Sequence, residues 1–132
     1  LAGLVSITAG PDVATPLQAI IIGAVGGVLC TLAIPLLDKL KIDDVVGAIS
    51  VHLVAGIWGT LVVGIPGLGT LAADFMTQLI GVVTIGVFVV VSSSIVWLIL
   101  KGVVGLRPTE EEEMSGLDVS ELGMEAYPEF RN

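Results

Sequence analysis

The side chain with the clearest capacity for chemistry is His52, the only histidine in the sequence. It lies in a window, residues 45–73, that contains no Asp, Glu, Lys or Arg. An ionisable side chain in a long apolar segment is costly and usually faces the protein interior or a pathway. Burial favours the neutral imidazole, which has one donor and one acceptor nitrogen. The sequence therefore predicts that His52 passes or holds a proton, or hydrogen-bonds a small polar solute.

Small residues surround His52 along one predicted helical face. In a regular α-helix, Ala48, Ala55, Gly56 and Gly59 share the face of His52, and small side chains let another helix or a narrow lumen come close. The competing interpretation is that His52 bonds a serine or a carbonyl and only joins helices. A metal or haem role is disfavoured because metal sites need several ligands and the sequence has no second histidine.

The segment around His52 belongs to a chain with the composition of a membrane protein. Of its 132 residues, 55% are hydrophobic and 14% are charged, whereas soluble domains average about 25% charged residues. Three windows, residues 13–37, 45–73 and 75–100, contain no charged residue. Each is longer than the roughly 20 apolar residues that cross a bilayer. The sequence therefore predicts an all-α, polytopic transmembrane helix bundle.

Turn-forming residues divide the predicted bundle. Residues 1–9 have the pattern of the end of one helix, which Gly10 and Pro11 break. Three full spans are expected at about residues 17–37, 45–65 and 79–100. Residues 1–104 then form the membrane domain and residues 105–132 a soluble tail. The chain opens in an apolar run without an initiator Met, which we interpret as the cut end of a longer protein.

The charges predict an orientation in the membrane. The five basic residues are Lys39, Lys41, Lys101, Arg107 and Arg131. They follow the first and third full spans, which end on the same side, and the positive-inside rule puts that side in the cytoplasm. We therefore expect a cytoplasmic C-terminus. The net charge of −8 disfavours nucleic acid as a partner because the sequence supplies no basic face.

Several residues inside the apolar windows are predicted to serve packing. Gly23 and Gly27 form a G-x-x-x-G pattern with Gly26 beside it, which favours close helix contact. Cys30 has no partner for a disulfide and is interpreted as a small packing residue. For Trp58 the sequence leaves two interpretations open, an anchor at the membrane interface or a packing residue within the fold.

The tail carries local helix signals and no catalytic arrangement. Thr109 and Glu112 have the spacing of a capping box, which predicts a short helix beginning near Pro108. Residues 116–123 mix turn-forming and apolar residues, and Tyr127 follows, so we expect this tail to fold against the membrane domain or bind a partner. The sequence has no serine-hydrolase arrangement, phosphate loop or zinc spacing. We therefore predict no enzyme and no bound cofactor or metal.

The sequence around His52 resembles a known family of membrane transporters. Residues 43–60, DDVVGAISVHLVAGIWGT, closely resemble the tenth span of Amt-type ammonium transporters in the Amt/Mep/Rh family. Residues 2–10, AGLVSITAG, resemble the end of their eighth span. Residues 105–127, which include the acidic run, resemble their cytoplasmic C-terminal region. The resemblance covers essentially the whole chain in order, and the combination is highly specific.

The resemblance implies an eleven-span fold in the cell membrane, with an outside N-terminus, a cytoplasmic C-terminus and a homotrimer with one pore per subunit. His52 matches the second of two pore histidines, whose imidazoles share a hydrogen bond in a narrow apolar lumen. In the family, ammonium is thought to lose its proton at the outer vestibule, and ammonia and the proton then cross. Ammonium transport for nitrogen uptake is therefore the implied function. The first histidine belongs to an earlier span, so this chain is not expected to conduct alone.

The chain departs from the family pattern at two positions. Members often have proline where this chain has Val45, which concerns the start of the helix more than the chemistry. Members usually have histidine after the glutamate that matches Glu121, whereas this chain has Leu122. Contacts that depend on that imidazole do not carry over.

The resemblance also implies a regulatory role for the tail. In the family this region couples subunits and can bind PII-type signalling proteins, which plug the cytoplasmic pore mouth. In plant members a threonine here is phosphorylated, and Ser120 lies at about that position, which makes it a candidate phosphosite. Two alternatives stay open: a segment that acts mainly as a regulatory interaction module, or an Rh-type relative, against which the tail motif argues.

Overall fold

Helices make up the regular structure of the described part of the chain. The structure, a computed structural model, describes residues 1–11, 15–69 and 73–130. Within these ranges every regular element is helical, which confirms the prediction of an all-α fold. The chain divides into two units, Leu1–Val89 and Val90–Asn132.

Three apolar helical segments follow a short first helix. In chain order the elements are α1 (Ala2–Ile7), α2 (Pro16–Lys39), a π-helical turn (Ala48–Val54), α3 (Ala55–Val62) and α4 (Phe75–Val103). Helices α2 and α4 are long and apolar enough to cross a membrane, and the π-helical turn and α3 together form a shorter apolar helix. These segments overlap the three predicted spans, whose membrane boundaries stay a prediction.

Local capping explains where α2 begins. The Thr15 hydroxyl accepts a bond from the Gln18 amide at 3.3 Å, and the Gln18 side chain accepts from the Thr15 amide at 2.8 Å. Pro16 takes the first helical position, where its missing N–H costs no hydrogen bond. The Gln18 amide side chain also donates to the Gly67 carbonyl at 2.8 Å. This bond ties the turn after α3 to the start of α2.

Helix α1 packs closely against α2 and α3 because glycines leave room for it. A Cβ on Gly3 would lie 3.0 Å from the Gly23 carbonyl oxygen, and one on Gly26 would overlap the Ser6 hydroxyl. A Cβ on Gly59 would overlap the Ser6 carbonyl. The predicted close packing is therefore found at Gly23 and at Gly26, about one helical turn later.

Gly27, the second glycine of the G-x-x-x-G pattern, takes no part in the contact with α1, and its predicted packing role stays a prediction. A Cβ on Gly27 would meet no atom of the described residues within 4 Å, because α1 lies against the neighbouring face of α2. Cys30, one turn further along α2, is buried in a cluster with Ala2 and Ala55, as expected for a small packing residue.

The second unit holds the tail. After α4, two short helices follow, α5 (Glu110–Ser115) and α6 (Leu117–Leu122), and then a 3₁₀ turn at Pro128–Phe130. The predicted capping box is confirmed: Thr109 and Glu112 exchange side-chain-to-backbone bonds at the start of α5.

Candidate functional site

His52 lies on the π-helical turn, which widens the helix locally. The backbone amides of Val51 and His52 both donate to the Gly47 carbonyl, at 3.0 and 3.2 Å, so the second bond spans five residues instead of four. Gly47 has a φ of 71°, a left-handed conformation that glycine adopts without steric cost. π-helical turns are rare and are frequently found at functional sites.

The expectation of one regular α-helical face around His52 is wrong. Ala55 and Gly59 are buried, whereas Ala48 and His52 are exposed. The wider winding of the π-helical turn shifts the residues before Ala55 around the axis relative to those after it. The small residues Ala55 and Gly59 therefore pack against the neighbouring helices, and His52 is exposed.

The His52 imidazole is accessible in this chain. It is exposed beside Leu53, whose side chain is 53% exposed. Within the described ranges, no residue hydrogen-bonds the imidazole, so neither the serine nor the carbonyl of the competing interpretation is found there. An apolar neighbour and two free ring nitrogens suit a small polar solute that needs one donor or one acceptor.

Asp44 caps the π-helical turn from outside it. Its two carboxylate oxygens accept from the amides of Ile49 and Ser50, at 2.9 and 2.8 Å, and one also accepts from the Ser50 hydroxyl at 2.8 Å. The amides of Ile49 and Ser50, in that order, hold the pKa of the Asp44 carboxyl below its ordinary value, because bonds to the charged form stabilise it. Ser50 itself is buried, at 2% exposure.

Helix α1 supports the other end of the turn. The Ser6 hydroxyl lies 2.9 Å from the Ala2 carbonyl oxygen and 3.3 Å from that of Ala55, the first residue of α3. Its one proton serves mainly the shorter bond. Ser6 and Ala55 are both buried, at 1% and 0% exposure. This contact fixes the place where the π-helical turn passes into α3.

Trp58 packs within the fold, and its contacts favour this interpretation over an anchor at the membrane interface. Its indole N–H donates to the Ile22 carbonyl of α2 at 3.0 Å, and the side chain is half-buried. The bond links α3 to α2 six residues after His52.

A cavity of about 180 Å³ lies where α2, the connector and the π-helical turn meet. Asp38, Asp44 and Ser50 are among the residues that line it. In the described part of the chain, no three His, Cys, Asp or Glu side chains are grouped to hold a metal ion.

Ser120, the candidate phosphosite, is exposed on α6 in the tail. Beside it in sequence, the Asp118 carboxylate accepts from the Ala126 amide at 2.7 Å. This bond is the main cause that lowers the pKa of Asp118. The residues after α6 are thus folded back onto its first turn, and the Ser120 hydroxyl stays accessible.

Sequence reasoning missed the roles of Ser6 and Gly47. It also gave Asp44 no specific partner. The available signal was the order Asp44, Gly47, Ser50: an acid, a residue able to take a left-handed conformation, and a small polar residue at a helix start. No local pattern pointed to Ser6, because its partner Ala55 lies 49 residues away.

Comparison with known proteins identifies the family. The model of the Ammonium Transporter Family matches residues 1–127. The ammonium transporter Amt1 of Haloferax mediterranei is 40% identical over 132 residues, which cover 98% of this chain and 26% of the relative. Amt2 of Methanocaldococcus jannaschii is 38% identical, with 98% of this chain and 32% of the relative covered.

A third relative shows the same extent of match. The ammonium transporter of Mycobacterium tuberculosis is 34% identical, and the aligned region covers 96% of this chain and 30% of the relative. The chain thus spans about a quarter to a third of the length of these curated relatives. From the family match and the apolar helices together, the chain belongs to the ammonium transporter family and is an integral membrane protein.

Proposed function

We propose that the protein containing this chain transports ammonium across the cell membrane and that His52 is one of its two pore-lining histidines. The observation that carries the proposal is the exposed imidazole on a π-helical turn of an apolar helix. The names of the relatives, all ammonium transporters, support the substrate. They also support a transporter over an enzyme.

The proposed chemistry follows from the cost of moving an ion through an apolar lumen. A bare ammonium ion loses its hydration there at a high cost in free energy. Neutral ammonia loses far less hydration free energy when it enters the lumen. A neutral imidazole offers ammonia one donor and one acceptor, and a second histidine beside it continues the chain of hydrogen bonds. His52 thus assists the passage of ammonia and of the proton.

The proposed arrangement in the membrane extends the same reasoning. Residues 1–104 belong to the membrane domain and residues 105–132 to a cytoplasmic tail. Lys39 is the last residue of α2, and Lys41 lies in the connector that follows it; by the positive-inside rule, these two basic residues support a cytoplasmic position for this connector. The protein assembles as a homotrimer with one pore per subunit, as the family resemblance implies.

A graft tests the role of His52. The matching segment of the Haloferax mediterranei transporter is replaced by Leu1–Asn132, and methylammonium uptake is measured in cells without their own ammonium transport. We expect the graft to transport and the His52→Ala graft to lose most of its uptake per transporter molecule, because the lumen loses its imidazole. Membrane-inserted protein is quantified in both. Equal uptake by the two grafts at equal protein levels contradicts a pore role for His52.

A second function, regulation by the tail, is favoured by its folded and exposed helices. Helix α5 has a capping box at its start, and the Asp118 carboxylate of α6 accepts a hydrogen bond from the Ala126 amide. Ser120 is exposed and therefore accessible to a kinase. We propose that this tail couples subunits or binds a PII-type signalling protein, and that phosphate on Ser120 alters this coupling.

Two substitutions in the same graft test the regulatory proposal. Ser120→Asp introduces a negative charge and is expected to lower uptake per transporter severalfold, whereas Ser120→Ala leaves it near the parent level. Binding of a purified PII-type protein to the graft is measured beside a truncation after Gly105. Binding that survives the truncation, or equal uptake by the Asp and Ala variants, argues against a regulatory tail.

A further inference from the structure

The N-cap residue of the π-helical turn cannot cap the turn with its own side chain. Its N-cap residue, Gly47, has no side chain, and its carbonyl accepts from Val51 and His52. The amides of Ile49 and Ser50 therefore need other acceptors, as amides in a first helical turn do. Asp44 supplies both, one from each carboxylate oxygen. A residue three positions before the N-cap thus takes over the capping of this turn.

Asp44 also fixes which side of the turn faces inward. Its carboxylate accepts from the Ser50 hydroxyl, and Ser50 is buried at 2% exposure. Residues two apart on a helix do not face each other. Holding Ser50 inward therefore directs His52, two residues later, outward, and His52 is indeed exposed.

The backbone at Gly47 permits this contact. Its left-handed φ of 71° turns the chain so that the Asp44 carboxylate reaches the amides beyond it. A Cβ on Gly47 would also lie 2.8 Å from a methyl carbon of Val51. Both the backbone conformation and the nearby Val51 methyl group therefore favour glycine at this position, and the turn brings Asp44 and the His52 turn together.

We propose that Asp44 is a positioning residue for His52, whose carboxylate sets the winding of the π-helical turn and thereby the direction of the imidazole. This inference rests on the proposed function, in which His52 lines the pore. Asp44 does not touch the transported solute in this scheme and acts only through the turn. A cap that merely stabilised the helix would leave the imidazole where it is.

The first test observes the imidazole directly. The graft described above is labelled with ¹⁵N-histidine, and the His52 signals are identified by their loss in the His52→Ala graft. Asp44→Asn removes the charge and places an NH₂ group against the amides of the turn. Asp43→Asn is the matched control, because it makes the same change at the adjacent position without touching these bonds. We expect the His52 signals to shift or broaden in Asp44→Asn and to stay in place in Asp43→Asn.

The second test measures transport. Asp44→Asn is expected to lower uptake per transporter by up to about a hundredfold, the loss that misplacing a functional group by about an ångström can cause, while Asp43→Asn keeps the parent rate. Adding Asp44→Asn to His52→Ala is expected to lower uptake no further, because two residues that act through one group are not additive.

The outcomes separate this inference from the proposed function. Unshifted His52 signals in a folded Asp44→Asn graft, or an equal shift in the Asp43→Asn control, overturn the positioning role. If the Asp44→Asn protein does not reach the membrane, Ser50→Ala decides, because it removes one of the three bonds and keeps the charge. Unshifted signals there overturn the inference as well. Unchanged uptake in His52→Ala overturns the pore role alone, since the NMR arm reports on Asp44 without transport.

Discussion

At the scale of single residues, the packing around the helix that carries His52 depends on glycines, which have no side chain. Ser6 of α1 fits against Gly26 of α2 and Gly59 of α3 only because neither glycine carries a Cβ. Ser6 is also the residue that contacts Ala55 at the end of the π-helical turn. The position of His52 therefore depends indirectly on two glycines that touch no solute.

Gly26 and Gly27 make a matched pair for testing this packing. Gly26→Ala places a methyl group on the Ser6 side chain and is expected to destabilise the graft by about 1–3 kcal/mol, the usual cost of overpacking. A methyl group from Gly27→Ala contacts none of the described residues, so this variant is expected to be neutral or slightly stabilising, because alanine favours helix over glycine by up to about 1 kcal/mol. Thermal unfolding in detergent measures both. Equal midpoints for the two variants contradict the packing described for α1.

At the scale of elements, the chain uses the same capping device at two distant places. Thr15 with Gln18 begins α2, and Thr109 with Glu112 begins α5. Both are local, since the partners lie three residues apart. The π-helical turn differs because its cap, Asp44, lies outside the element and reaches it only through the turn at Gly47. This difference explains why the sequence predicts the cap of α5 and not the cap of the π-helical turn.

The α5 cap gives a prediction for the tail. Thr109→Ala removes the hydroxyl that accepts from the Glu112 amide, which costs about 1 kcal/mol of local helix stability. Amide hydrogen exchange within α5 is therefore expected to be about fivefold faster. Glu111→Ala, in the same turn, removes a side chain that takes no part in the capping box and serves as the control. Equal exchange rates in the two variants contradict the capping role.

At the scale of the whole molecule, three carboxylates outside the membrane spans link stability to pH. Asp44, Glu112 and Asp118 each accept backbone N–H bonds, and each has a pKa below its ordinary value. The unfolded chain therefore takes up protons at a higher pH than the folded chain. Their stabilising contribution is complete above the ordinary values, 3.8 for Asp and 4.5 for Glu, and is lost as pH falls through the lowered folded values.

The unfolding midpoint of the graft should follow this sign. These three groups contribute no change from about pH 8 to pH 6, and they lower the midpoint progressively below about pH 5. The variant with Asp44→Asn, Glu112→Gln and Asp118→Asn should start from a lower midpoint at neutral pH and fall less steeply in acid. The comparison uses midpoints at matched ionic strength. An identical slope in acid for the parent and this variant contradicts the assignment.

The sequence by itself determined the membrane character, the all-α class, the family and the cap of α5. These depend on composition, on hydropathy over about 20 residues and on partners three residues apart, all of which are local along the chain. It also singled out His52 as the residue with chemistry. The family match over residues 1–127 confirmed the resemblance.

Only the tertiary structure decided the winding of the helix that carries His52. A regular helix would have placed His52 on the face of Ala55 and Gly59, and the π-helical turn moves it to an exposed one. That winding is fixed by Asp44 from outside the turn and by Ser6, which lies 49 residues before Ala55. Ser6 also packs against Gly26, whereas a Cβ on Gly27 would meet none of the described residues within 4 Å. Periodicity along a sequence assumes a constant helical turn, so it contains no record of a change in winding that distant partners impose.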